Sequence, residues 1–121
     1  MSKKWITGIL TTLVSLVFVA SAVGKFMADA EALKMAESFG LDATTNYALG
    51  VIEIVAVVLF ILPRTGVLGT LLLAAYLGGA IATHLEHGES VLIPCIIQAV
   101  LWLVAVYRFP ELGARLFKGK L

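Results

Sequence analysis

The residue that could do chemistry is a carboxylic acid set in an apolar run. Glu53 lies in the stretch 47–62, about two turns from the start of that run, or roughly 10 Å at 1.5 Å per residue. If that stretch crosses a bilayer, an ionised carboxylate at this depth costs several kcal/mol unless it is paired, hydrated or protonated. It must therefore face other helices, on one stripe with Asn46, Gly50 and Val57. Four further polar side chains fall at comparable height when the apolar runs are drawn antiparallel. Ser21 and Lys25 are four apart on one helix face, and His84 shares a broad stripe with Tyr76, Ala80, Thr83 and His87. Gln98 lies about as deep as Glu53, with Cys95 and Trp102 close to the same face. Two chemistries suit such a set. One is a structural network in which Lys25 neutralises Glu53 while His84 and Gln98 complete the hydrogen bonding. The other is a pocket in which Glu53 and His84 anchor, or exchange protons with, a small lipophilic molecule such as a quinone. A paired carboxylate can serve both.

Several other chemistries are disfavoured. His84, His87, Glu86 and Glu89 imitate a ligand cluster, but the pair of histidines stands at a helix end where water can solvate it; no metal is expected. Both histidines lie on one segment, which argues against a haem held between helices. Cys95 is the only cysteine, so paired-thiol shuttling is unlikely to be the chemistry, and a small apolar core residue is its expected role. Gly66-Val67-Leu68-Gly69 has no following lysine and builds no phosphate loop. Close helix contacts are the expected use of Gly66, Gly69, Gly78 and Gly79.

The elements that must position these side chains are apolar helices. Of 121 residues, 60% are hydrophobic and only 14% charged, too few polar groups to surface a soluble domain. Mean hydropathy is +1.01. Four runs, residues 6–23, 47–62, 67–83 and 91–107, each approach the roughly 17–25 residues that cross about 30 Å of hydrocarbon. The second is short unless residues 44–46 join it. Helices satisfy their own backbone in lipid, and the runs lack the alternation of a barrel strand. The expected fold is all-α: one domain, residues 1–121, forming an up-down four-helix transmembrane bundle. Lys3, Lys4, the apolar run and Ala20-Ser21-Ala22 also imitate a cleavable signal peptide, but the run is read as a retained span.

Charge sets the orientation. With both termini cytoplasmic, Lys3, Lys4, Arg64, Arg108, Arg115, Lys118 and Lys120 lie inside, and only Lys25 and Lys34 lie outside. An inner-membrane location follows. The net charge of +1 carries no signal for nucleic acid. Pro63-Arg64-Thr65-Gly66 is a tight turn that makes its flanking spans antiparallel neighbours. The outer link, 25–42, predicts an interfacial helix with Phe26, Ala30 and Leu33 on its apolar side. The tail, broken at Pro110, predicts a second one.

An ordered set of short pieces resembles the DoxX-like family of small four-helix membrane proteins. These are Gly24-Lys25, Gly40-Leu41, Gly50-Val51-Ile52-Glu53, Leu62-Pro63-Arg64, Leu68-Gly69, Gly79-Ala80, Thr83-His84-Leu85 and Pro94. Each is weak alone; their order and spacing over most of the chain carry the resemblance. Relatives commonly have proline where Asp42 stands. The resemblance implies that Lys25, Glu53 and His84 form the polar motif. It also implies a context: the family is named for a membrane subunit of thiosulfate oxidation with quinone as acceptor, other members are linked to thiol redox or oxidative-stress complexes, and distant relatives assist receptor assembly. The leading expectation is a membrane component of a quinone-linked redox system, with Glu53, His84, Lys25, Gln98 and Ser21 around a lipophilic ligand near the outer leaflet. The rival is a non-catalytic chaperone or scaffold that packs against membrane or redox partner proteins, or against a second copy of itself. A proton-coupled transporter ranks last, for want of an inverted repeat or broken helix. No catalytic residue is assigned.

Overall fold

The computed structural model describes residues 2–119; Lys120, counted among the inner-side charges, lies outside them. The described residues hold helices and no strand. Helix α1 runs over Lys3–Met27, α2 over Ala30–Ser38, α3 over Ala43–Ile61, α4 over Gly66–Glu86, α5 over Leu92–Arg108 and α6 over Pro110–Gly113. A further helical turn continues from α6 over Ala114–Lys118.

Local chemistry explains most of these boundaries. Ser2 caps α1 by accepting a bond from the Trp5 amide. The helix then continues a full turn past the expected end at residue 23, so Lys25 is held on the same rigid face as Ser21. Asp29 caps α2, accepting from the Ala32 amide at 2.8 Å. That helix closes with the Leu41 amide donating to Ala36 and the Gly40 amide donating to Glu37. This double bond pattern needs a left-handed residue at Gly40, whose φ is +75°, where a side chain would be strained. Asp42 caps α3 through the Thr45 amide at 2.7 Å, and these bonds hold its carboxyl below the usual value of 3.8. Asp42 thus gives the start of α3 a side-chain cap. Because α3 begins at Ala43, residues 44–46 do belong to the second long helix.

The four long helices form a ring of neighbours: α1 lies on α3, α3 on α4, α4 on α5, and α5 returns to α1. Phe18, Val57, Phe60, Leu73 and Leu101 fill its centre. The α3–α4 approach is very close. A Cβ added at Gly69 would lie 2.1 Å from the Phe60 backbone nitrogen, and one at Gly66 would strike the Phe109 ring. Arg108, at the end of α5, donates to the backbone carbonyls of Phe60 and Ile61, while the Thr65 hydroxyl donates to that of Leu59. The carbonyls left open at the end of α3 are thereby satisfied by a cation and a hydroxyl.

The outward faces remain apolar, with Leu13, Val55, Leu71 and Leu103 among the exposed residues. Helix α1, helix α3 and the segment Pro63–Glu86 are long and apolar enough to cross a membrane. Helix α5, at 17 residues, reaches that length only together with the segment after Pro110, from which it is bent by 108°.

Three expectations are corrected. Cys95 is exposed rather than a core residue, because its side of α5 faces away from the ring. Gly78 and Gly79 make no close helix contact; a Cβ at either would meet nothing within 4 Å. Of these four glycines, Gly69 is pressed on the α3 backbone and Gly66 on the Phe109 ring. Phe26, expected on the apolar side of the outer interfacial helix, belongs instead to α1, where its ring packs tilted against Tyr47, while Ala32, Ala36 and Phe39 line the cavity.

Candidate ligand-binding site

The end of the ring opposite Arg108 is open. A cavity of about 610 Å³ lies there, between the α2 roof and a floor that includes Phe18 and Leu77. This is within the roughly 300–1,000 Å³ typical of small-molecule sites. Its walls are mainly aliphatic and aromatic; one set of polar groups gathers around Lys25, and Thr45, Asn46, Thr83 and His84 also line it.

The set around Lys25 is built by helix register. One turn separates Ser21 from Lys25 on α1, and the Lys25 ammonium donates to the Ser21 hydroxyl at 2.7 Å. The same ammonium donates to Glu53 Oε1 at 3.3 Å, tying α1 to α3. Gly50, one turn before Glu53 toward the outer end, makes this approach feasible: a Cβ there would sit 2.8 Å from the Phe26 ring and 3.3 Å from Lys25 Cβ. Glu53 is 1% exposed and the Lys25 side chain 19%, so the carboxylate is sealed while its partner reaches the cavity edge. Tyr76 of α4 completes the group, its ring centroid 5.6 Å from the ammonium. Asn46 is buried and also lines the cavity.

His84 lines the same cavity but not the same cluster. It follows Tyr76 by eight residues, about 12 Å along α4. Its Nδ1 is 2.6 Å from the Ala80 carbonyl; since a carbonyl only accepts, Nδ1 carries the hydrogen and Nε2 is left free. The ring packs on Phe39 at a centroid distance of 4.7 Å, which pins the end of α2 to α4. His87 bonds the Thr83 carbonyl in the same way. Among the described residues no three His, Cys, Asp or Glu side chains gather within reach of one metal ion.

Gln98 is not brought to the cavity. Its amide nitrogen donates to the Ala74 carbonyl at 3.2 Å, joining α5 to α4, and its Oε1 is buried without a partner. The structure thus unites Ser21, Lys25 and Glu53, places His84 at the far end of the same space, and turns Gln98 to a structural use. Tyr76 belongs to the polar cluster and the sequence reading left it out of the site. Its signal was its place on the stripe of α4 that carries Ala80 and His84. Phe39 had no such signal, because its contact depends on how α2 folds back.

With this geometry established, the comparisons with known proteins have a clear reading. A family model described as the DoxX-like family matches residues 9–107, which includes all four long helices in whole or large part and every polar residue that lines the cavity. No curated protein and no solved structure matches the chain. The apolar outer faces and the family match agree, and this integral membrane protein belongs to the DoxX-like family.

Proposed function

We propose that this protein is a membrane component of a quinone-linked redox system and holds the head of a membrane-dissolved quinone in the outer cavity. In this reading residues 1–121 form one up-down domain of four spans in the inner membrane. Both termini are cytoplasmic, following the excess of lysine and arginine at the end that carries Arg64 and Arg108. The observation that carries the proposal is the opening of the Ser21, Lys25, Glu53 and Tyr76 cluster onto a largely apolar space of about 610 Å³.

The donor set fits such a head. A quinone oxygen accepts hydrogen bonds and donates none. An ammonium has three N–H donors, and Lys25 directs two of them to Ser21 and Glu53. The Tyr76 hydroxyl lies within reach of the same ammonium, so a ligand oxygen would share the third donor with it. Glu53 holds the ammonium in place and balances its charge, so an uncharged head meets a neutral pair. Tyr76 offers a phenolic hydroxyl beside it. His84 lies about 12 Å along α4 from Tyr76, at the other end of the same space. A bound quinone supplies the electron-accepting chemistry; the residues of this chain bind and orient it.

Titration of the protein in lipid nanodiscs with ubiquinone and menaquinone tests the proposal. Glu53→Gln, which frees the lysine from its carboxylate, should weaken binding by about tenfold, equivalent to about 1.4 kcal/mol. Gly79→Phe should abolish it by filling the cavity, since the space beside Gly79 is open. Parent-like affinity in both variants would end the pocket reading.

A further inference from the structure

The cavity has a side opening as well as a roof. Helices α1 and α5 meet at the inner end, where Lys3 lies over the Tyr107 ring at 5.2 Å. Val14 of α1 and Leu101 and Val104 of α5 continue the contact through the core. Beyond them, toward the outer end, side chains of both helices line the cavity instead. Val17 of α1 and Ile93 of α5 do so, and 47% and 64% of their surfaces remain exposed. The α1–α5 contact is the slightest of the four around the ring. Phe26 and Lys25 pack against Gly50 between α1 and α3, Gln98 ties α5 to Ala74 of α4, and Phe39 pins α2 over His84.

Resting on the binding function proposed above, we propose that the ligand passes sideways from the outer leaflet through the seam between α1 and α5, with Val17 and Ile93 as its two edges. The occupant is accordingly an amphiphile with an uncharged, hydrogen-bond-accepting head and an apolar chain that stays among the lipids. Chemistry on both sides of the seam supports this class. The Lys25–Glu53 pair offers no net charge to an ionic head, and the remaining polar groups beside it are the hydroxyls of Ser21 and Tyr76. The seam edges are aliphatic and continuous with the apolar outer faces of α1 and α5, so a chain crosses it without meeting water. A route over α2 would instead carry that chain past the charged face of Glu31, Lys34 and Glu37.

A benzoquinone carrying an alkyl chain with a diazirine at its midpoint is the probe, used on the full chain in lipid nanodiscs. After photolysis, saturable label is expected in residues 17–21 and 93–97. The double variant Val17→Trp/Ile93→Trp narrows the seam without touching the polar cluster. It should lower labelling by about tenfold, a loss clearly larger than its effect on the affinity of a chainless dimethoxybenzoquinone. A parent-like circular dichroism spectrum shows that the variant is folded. Saturable label on α2 or on the outer face of α3, or undiminished labelling of the double variant, would overturn the lateral route and leave the binding site standing. Equal loss of both ligands would overturn it too, by assigning the effect to the cavity itself. Absence of saturable label anywhere would remove the binding site and the route together.

Discussion

Replacing Lys25 with methionine keeps the aliphatic stem that packs beside Gly50 but removes the ammonium from Glu53. The separation of 3.3 Å sets the scale of the loss. At an effective dielectric constant of 20 the attraction is about 5 kcal/mol, and in bulk water it falls to about 1.3 kcal/mol. Glu53 is sealed at 1% exposure while Lys25 keeps 19%, so the pair lies between these limits. Leaving one member of a buried pair alone costs about 3–5 kcal/mol. Water at the lysine end places Lys25→Met near the lower figure, about 3 kcal/mol. The assay is equilibrium unfolding in mixed lipid–detergent micelles, followed by circular dichroism and tryptophan fluorescence. Lys25→Met/Glu53→Leu is the decisive companion, because replacing both charges with apolar groups removes the stranded carboxylate and should lose less than about 1 kcal/mol. A single variant no less stable than the double would refute the reasoning: the carboxylate would then not depend on Lys25.

Three further outcomes are expected. Gly69→Ala forces a Cβ against the Phe60 backbone, which cannot swing aside, and should cost about 1–3 kcal/mol in the same unfolding assay; Gly79→Ala, entering open space, should stay within about 0.5 kcal/mol of the parent. Arg108→Met strips two charged donors from the carbonyls of Phe60 and Ile61 and should destabilise the protein by about 1.5–3 kcal/mol, with Arg108→Lys intermediate. The depressed Asp42 carboxyl contributes stability that is complete above its unfolded value of 3.8 and lost as pH falls through its lower folded value. Amide exchange at Thr45 should therefore accelerate below about pH 4 in the parent, after correction for intrinsic exchange, but not in Asp42→Asn, whose cap does not titrate.

Much of the architecture was legible because a bilayer leaves a sequence few choices. Runs long enough to span, a Pro63 turn and a carboxylate intolerable on a lipid face are all local facts with one reading in hydrocarbon. The association of Lys25 with Glu53 was equally legible: one is an interior acid, and the other stands four residues from Ser21 near the end of the first span. What stayed hidden depended on helix rotation and on distances across the ring. Cys95 and Gln98 are three residues apart on α5, yet one is exposed and the other is half-buried against α4. Nothing in their types distinguishes those outcomes.

The sequence alone determined that this chain is made of apolar helices, that its charges segregate, and that Glu53 must be housed with a partner. Tertiary structure decided the rest. Depth along a span follows from counting residues at a fixed rise, so Glu53 and Tyr76 could be placed by arithmetic. Which way a side chain turns follows from ridges of neighbouring helices seeking grooves, and that is a property of pairs of helices. Hence only the folded molecule showed Gly69 pressed on a backbone while Gly79 borders open space, and Tyr76 beside the ion pair while His84 stands apart at the cavity's far end.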